Sequence, residues 1–256
     1  MNKAERERFV LEKLIASKRL SLQEVMDALG VSQSTARRIF NNLESSGKAI
    51  RTHGGISLLN ENLFEYSFDS VLKSHVEEKR RIGKAAAGTL RDGEVIYVDC
   101  GTTALSFCLN ACNLIKEGNV RDIKIFTNSL ANVEILSEAT EVTLIGGTYR
   151  PNRKDFAGYI AESAIKQLHF DKCFLGSDGV AIPLFGATDF DTARLNQLVI
   201  AKSKQVALLC DSSKFGKKSL ISFAQPGEIH TIITDANLSP AEQEKIKRYS
   251  IELILT

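Results

Sequence analysis

The chain contains no tryptophan, only two methionines, four prolines and four histidines, and aromatic residues make up 7% of its 256 positions. Nowhere does an apolar run approach the roughly 18 residues that a membrane-spanning helix needs, so no membrane partner is expected. The opening "MNKAERERFV" lacks the apolar core of a secretory signal, which makes a cytoplasmic protein the expectation. His53, His75, His169 and His230 lie far apart and form no HxH or HExxH spacing, so neither a metal site nor a cofactor is expected. The five cysteines are odd in number and form no CxxC. Cys108 and Cys112 stand four apart, a spacing that suits a shared metal or a shared buried face. In a reducing compartment the second reading is the simpler one.

What is present describes a globular chain: 43% hydrophobic and 25% charged residues supply both a core and a surface. The net charge of +2 is unevenly placed. Residues 1–59 hold ten Lys/Arg against six Asp/Glu, whereas residues 60–256 hold 23 against 25. A basic head on a near-neutral body points to a polyanion partner for the head alone.

That head reads as three helices and a hairpin. "KAERERFVLEKLIAS" (3–17) sets Phe9, Val10, Leu14 and Ile15 on one side, the pattern of an amphipathic helix. "SLQEVMDALG" opens on Ser21-x-x-Glu24, a capping box, and Gly30 ends it. Ser32 then offers an N-cap to "QSTARRIFNNLESS", and two short helices around a tight Gly turn form a helix-turn-helix. In the third helix Ala36, Ile39, Phe40 and Leu43 recur at i, i+3, i+4 and i+7 and must face the core. Gln33, Ser34, Thr35, Arg37, Arg38, Asn41 and Asn42 are thereby turned outward. Gln, Asn and Arg can contact base edges in pairs of hydrogen bonds, while Ser and Thr suit phosphates. "GKAIRTHGGI" reads as a wing, with Lys48, Arg51 and His53 placed against the DNA backbone.

The run "LSLQEVMDALGVSQSTARRIFNNLESSGKAIRTHGG" resembles the N-terminal domain of the DeoR family of bacterial transcriptional regulators. Val31, Ser32, Thr35, Arg37, Arg38, Leu43, Gly47, Arg51, His53, Gly54 and Gly55 carry the likeness. Ile39-Phe40 departs from it, because the family has Asp-Leu after the arginine pair.

Beyond a polar connecting stretch (60–74) the pattern changes to apolar strand, small-residue turn, helix. "VIYVD" leads to Cys100-Gly101-Thr102-Thr103, "IKIF" to Thr127-Asn128-Ser129, and "VTLI" to Gly146-Gly147-Thr148. "KCFLG" leads to Ser177-Asp178-Gly179, "QVALLC" to Asp211-Ser212-Ser213-Lys214, and "HTIIT" and "IELIL" close the chain. Such alternation predicts a largely parallel sheet covered on both faces, with ligands outside the carboxyl ends of its strands. Five polar turns, with Lys214 and Arg150 as cations, predict one anion-accepting crevice. Thr102, Thr103 and Ser129 are candidate phosphate donors beside the amides after Gly101, with Gly147 in a neighbouring turn. Asp99, Asn128 and Asp178 suit sugar hydroxyls, and Asp189 is a further candidate effector residue.

Here too the residues resemble the DeoR family: "DCGTT", "TNSL", "GGTYR", "DKCFLGSDGV" and "DSSKFGKKSL" look like its C-terminal sensor domain. The resemblance implies a fold shared with ribose-5-phosphate isomerase and the CoA transferases, and a phosphorylated sugar or related metabolite as effector. The segment "DFDTARLNQLV" departs from many members of the family, with Arg194, Asn196 and Gln197 at positions that are commonly acidic or lysine there. An isomerase is the alternative, with Asp178 as base. It lacks support, since no lysine occurs between Gly179 and Lys202 to polarise a carbonyl. No glutamate lies between Glu162 and Glu228, so the nucleophile of a CoA transferase is missing. The expectation is therefore an α/β protein that is not an enzyme. Residues 1–58 form a winged helix-turn-helix for operator DNA, 59–74 a linker, and 75–256 an α/β effector sensor. The whole acts as a repressor of a carbohydrate-use operon, working as a dimer or tetramer.

Overall fold

In a computed structural model of the chain, the described residues are 6–7, 9–10, 13–14, 17, 19–45, 49–52, 54–58 and 67–256. The chain divides into two compact units, residues 1–65 and 66–256.

In the first unit the described residues between 6 and 17 are helical, with Val10 and Leu14 buried. Strand β1 (Arg19–Ser21) runs into α1 (Leu22–Leu29). The capping box is formed: Ser21 Oγ accepts from the Glu24 amide at 3.2 Å, and the Glu24 carboxylate accepts from the Ser21 amide at 2.7 Å. Gly30 closes the helix in the left-handed region at φ 61°, where a side chain is strained. Helix α2 (Gln33–Ser45) buries Ala36, Ile39, Phe40 and Leu43, the apolar stripe of the sequence. β2 (Ala49–Thr52) and β3 (Gly55–Leu58) form an antiparallel hairpin whose β3 also pairs with β1. A Cβ on Gly55 would stand 2.4 Å from the Leu20 carbonyl oxygen, so only glycine lets the hairpin close on β1. A helix-turn-helix with this three-stranded edge is a winged helix.

The second unit opens with α3 (Phe68–Leu72) and α4 (Val76–Ala87). Helix α3 lies in the stretch read as a polar connector. Its Phe68 is buried, and the Phe68 amide donates to the Asn152 carbonyl at 2.8 Å, so this part of the stretch packs on the second unit. Phe68, Val71 and Leu72 stand at i, i+3 and i+4, but a run of five residues is too short for that spacing to mark a helix in the sequence. Helix α4 stops at Ala87, before the Asp92-Gly93 turn expected to end it.

Then follow β4 (Val95–Val98), α5 (Thr102–Lys116), β5 (Lys124–Thr127), α6 (Leu130–Leu136) and β6 (Val142–Leu144). The hairpin β7 (Thr148–Arg150) and β8 (Asp155–Ala157) leads to α7 (Tyr159–Ile165) and β9 (Phe170–Leu175). Next come β10 (Gly179–Ala181), β11 (Leu184–Ala187), α8 (Phe190–Ala201), β12 (Ser203–Leu209) and β13 (Ile221–Ala224). β14 (Thr231–Thr234), α9 (Pro240–Lys247) and β15 (Glu252–Leu255) complete the chain. Seven strands form a parallel sheet in the order β15-β14-β12-β9-β4-β5-β6. They are the seven apolar runs read from the sequence. Both faces are covered: Tyr97, Cys173 and Leu175 enter one core, while Ile96, Val98 and Phe174 enter the other. All five cysteines are buried thiols. No described helix is long and apolar enough to cross a membrane.

Candidate functional site

The sheet order reverses between β4 and β9. The chain proceeds from β4 through β5 to β6 on one side, then returns to β9 and moves outward through β12 on the other. At that point the strand ends diverge and leave a crevice at their carboxyl ends. A cavity of about 50 Å³ sits there. Its walls are the turns that follow β4 (Asp99 to Thr103), β9 (Gly176 to Asp178) and β12 (Cys210, Asp211), together with Lys214.

Part of the lining of this cavity suits an anion. Helix α5 starts at Thr102 behind Gly101, which has no side chain to cap it, so the first amides keep no intrahelical partner. Amides of that kind at the positive end of a 15-residue helix attract a phosphate. Thr102 and Thr103 are buried at this end. Lys79 is also buried, and its ammonium donates to the carbonyls of Ser74 at 2.7 Å and Val71 at 2.5 Å. Burial pushes the Lys79 ammonium below the usual lysine range, with Asp211 opposing. Arg153 adds a third cation, held by Thr188 Oγ1 at 2.7 Å and Asp189 at 2.8 Å.

The carboxylates of the lining accept hydrogen bonds. Asp99 bridges the tips of β4 and β9 by accepting from the Gly176 amide at 2.9 Å. Burial raises its carboxyl above the usual carboxylate range, against the pull of the Gly176 and Cys100 amides. Asp178 Oδ2 accepts from the Thr188 amide and hydroxyl, both at 2.8 Å. Asp211 accepts from the Ser213 amide at 3.1 Å and from the Ser213 hydroxyl. Cations and uncapped helix-start amides lie among fixed carboxylates in this lining, a mixture that suits a molecule carrying both phosphate and hydroxyl groups.

Of the expected effector residues, Asp99, Gly101, Thr102, Thr103, Asp178 and Lys214 line this cavity. The other five have work inside the fold. Asn128 accepts from Tyr97 Oη at 2.9 Å and donates to the Phe156 carbonyl at 3.0 Å. Ser129 caps α6 by accepting from the Asn132 amide at 3.3 Å. A Cβ on Gly147 would stand 2.6 Å from the Ala157 carbonyl oxygen, so this glycine admits the neighbouring strand. Arg150 binds Asp155 through two nitrogens, at 2.8 and 2.5 Å, and Asp189 at 2.7 Å. Asp189 caps α8 and pairs with both Arg150 and Arg153. The turns after β5 and β6 thus hold the fold together, while those after β4, β9 and β12 form the cavity.

The sequence reading missed Lys79, Arg153, Ser177, Thr192 and Asp211 as cavity residues. Asp211 lies in a turn already singled out. Lys79 sits in the charge-rich "VEEKRRIG", where nothing but burial separates it from its exposed neighbours. In the divergent segment, Asn196 lines the cavity, whereas Arg194 is exposed and pairs with Glu162 at 2.6 Å. Gln197 bonds the Ser222 carbonyl at 3.4 Å. No group of three His, Cys, Asp or Glu suited to a metal occurs among the described residues.

On the winged helix, Ser32, Gln33, Ser34, Arg37, Arg38 and Asn41 are exposed and Thr35 is half-buried. Ser32 Oγ lies 3.4 Å from the Thr35 amide and 3.0 Å from Ser34 Oγ at the start of α2. Asn41 accepts from the Arg51 guanidinium at 2.6 Å, which ties the wing to α2. Asn42 instead donates to Glu7 at 2.6 Å, turning toward the N-terminal helical residues. Lys48 and His53 lie outside the described residues.

Comparison with known proteins agrees with this division. The DeoR-like helix-turn-helix domain matches residues 6–62, and the DeoR C terminal sensor domain matches residues 74–236. The chain belongs to the DeoR family of transcriptional regulators. The HTH-type transcriptional regulator GlpR of Haloferax volcanii is 33% identical, covering 98% of this chain and 97% of its own. The lactose phosphotransferase system repressor of Lactococcus lactis is 31% identical over 98% of each chain. The HTH-type transcriptional repressor GlcR of Bacillus subtilis is 30% identical over 96% of this chain and 94% of its own. Ribose 5-phosphate isomerase A of Methanocaldococcus jannaschii aligns with a TM-score of 0.43 and 19% identity, covering 57% of this chain and 56% of its own. A likeness that slight has no bearing on chemistry. As a DeoR-family regulator, the chain joins a DNA-binding winged helix to a sensor domain.

Proposed function

We propose that this regulator represses a carbohydrate-use operon, and that a phosphorylated sugar or related anionic metabolite in the β4–β9 crevice sets its affinity for operator DNA. The observation that carries this reading is one cavity lined by the uncapped start of α5, by Lys214 and buried Lys79, and by the carboxylates Asp99, Asp178 and Asp211. The α2 residues Gln33, Ser34 and Arg37 read base edges in the major groove, and Ser32, Thr35, Arg38, Asn41 and the wing meet the backbone. In this scheme residues 1–58 hold operator contacts and the sensor runs from 75 to 256, with α3 of the intervening 59–74 packed on it. One winged helix gives little affinity by itself, so the working form is a dimer or tetramer on half-sites about 34–36 Å apart or a multiple of that. The effector acts by differential affinity for two arrangements of the protein, since equal binding to both shifts nothing.

Sensing is favoured over isomerisation by what surrounds Asp178. Its Oδ2 already accepts two hydrogen bonds from Thr188, and the nearest cation, Arg153, is engaged by Asp189 and Thr188. Neither group stands ready to move a proton between carbons.

The test is operator binding, on DNA from upstream of the protein's own gene, against a panel of sugar phosphates with product analysis of each mixture. One compound shifting affinity and returning unchanged is the expected result; its conversion would make the crevice catalytic. Thr102→Val combined with Lys214→Ala should abolish the response while operator binding persists. A normal response in that double variant places the effector elsewhere.

A further inference from the structure

Buried polar atoms are almost always hydrogen-bonded, so an orphan is a sign that something is absent. Five buried side-chain atoms have no partner among the described residues: Thr52 Oγ1, Asn132 Oδ1, Asn196 Oδ1, Thr234 Oγ1 and Glu242 Oε2. Of these residues only Asn196 lines the cavity. It is 1% exposed. Asn196 lies on α8 one turn beyond Thr192, which also lines the cavity. The contrast between the two is informative. Thr192 Oγ1 donates to Asp189 at 2.7 Å and accepts from Arg150 at 2.9 Å, so the protein satisfies it. The carbonyl oxygen of Asn196, within the same wall, is left without a donor.

We infer that Asn196 is the specificity-determining residue of the effector crevice, its Oδ1 accepting a hydrogen bond from a hydroxyl on the carbon chain of the ligand. This rests on the effector reading above. A carbonyl oxygen needs a donor, and a phosphate dianion has none, so Asn196 reads the sugar end of the molecule. The phosphate itself is the business of the α5 amides, Lys79 and Lys214. A ligand that carries the anion but no hydroxyl leaves the buried oxygen unpaired and is rejected for that reason. The cost of the orphan falls on the unliganded protein, which trades stability for discrimination.

The experiment is calorimetric titration of the full chain and of Asn196→Ala and Asn196→Leu. The probes are inorganic phosphate, ribose 5-phosphate, fructose 1-phosphate, fructose 6-phosphate and glucose 6-phosphate, and each protein is also melted without ligand. The tightest sugar phosphate should bind about 5- to 150-fold more weakly to both variants. Inorganic phosphate should bind all three proteins within about twofold. The ligand-free Asn196→Leu protein should melt at or above the parent, because an orphaned buried acceptor has been removed. Equal binding of the sugar phosphate to parent and variants overturns the inference and leaves the effector reading intact. So does loss of both probe classes together with a lowered melting point, or failure of both variants to fold, since Asn196 would then be a structural residue. If the parent binds none of the five probes, the effector reading fails first and this inference falls with it.

Discussion

Arg150 looked from the sequence like a cation for the ligand, and the structure makes it a strut, a difference that a single substitution resolves. Asp155 is fully buried. Its carboxylate receives two nitrogens of Arg150, at 2.8 and 2.5 Å, and the Cys100 thiol at 3.1 Å. Burial opposes the charge on Arg150, but hydrogen bonding to Asp155 and the charges of Asp155 and Asp189 outweigh it and hold the guanidinium protonated. Arg150→Met keeps the aliphatic stem and strands the Asp155 carboxylate without its main partner. Breaking a buried pair from one side costs about 3–5 kcal/mol, because the remaining charge has lost compensation it cannot regain from water. With a urea slope of about 2 kcal/mol/M, the unfolding midpoint of the sensor should fall by about 1.5–2.5 M. Circular dichroism reads this transition; the chain has no tryptophan to follow. Adding Asp155→Asn to Arg150→Met should restore most of the loss, since the stranded charge goes with it. An unchanged midpoint in Arg150→Met, together with a lost effector response, would refute the strut and return Arg150 to the ligand.

Two further outcomes follow from the same physics. Arg37→Ala should weaken specific operator binding by about 1–3 kcal/mol if the side chain contacts a base, with much less effect on unrelated DNA; unchanged operator affinity sinks the groove assignment. Acid should destabilise the sensor through Asp189 and Asp235. Burial alone would raise both carboxyls, but the Thr192 amide with Arg153, and the Ser212 amide and hydroxyl, respectively, hold them below the usual value. The unfolded chain therefore takes up protons first, so this stabilisation is complete above pH about 4 and is lost as pH falls through the depressed folded values. A melting temperature that stays flat from pH 7 to 3 contradicts this.

The parts of the molecule legible in the sequence are those governed by period and by single-residue backbone requirements. Ala36, Ile39, Phe40 and Leu43 repeat at helical spacing because one helix face must be dry, and all four are buried. The seven sheet strands announce themselves as apolar runs because both faces of a parallel sheet are covered. Ser21 with Glu24 marks a helix start because a cap needs an acceptor and a returning carboxylate at fixed spacing. None of these rules reaches polar side chains that meet across the sheet. Arg150 and Asp189 are 39 residues apart in the chain, and Tyr97 and Asn128 are 31 apart. Which hydroxyl or carboxylate faces a ligand and which one holds a neighbouring turn depends on strand order. The alternating pattern predicts a parallel sheet without fixing that order. Five polar turns look equivalent in sequence, yet only those following β4, β9 and β12 wall the cavity, because β4 and β9 flank the reversal and β12 adjoins β9. Lys79 is hidden for a related reason. A lysine in a charged helix reads as solvated unless a second element covers it, and here the Val71 and Ser74 carbonyls do so. Those carbonyls belong to the stretch that follows the winged helix in the chain.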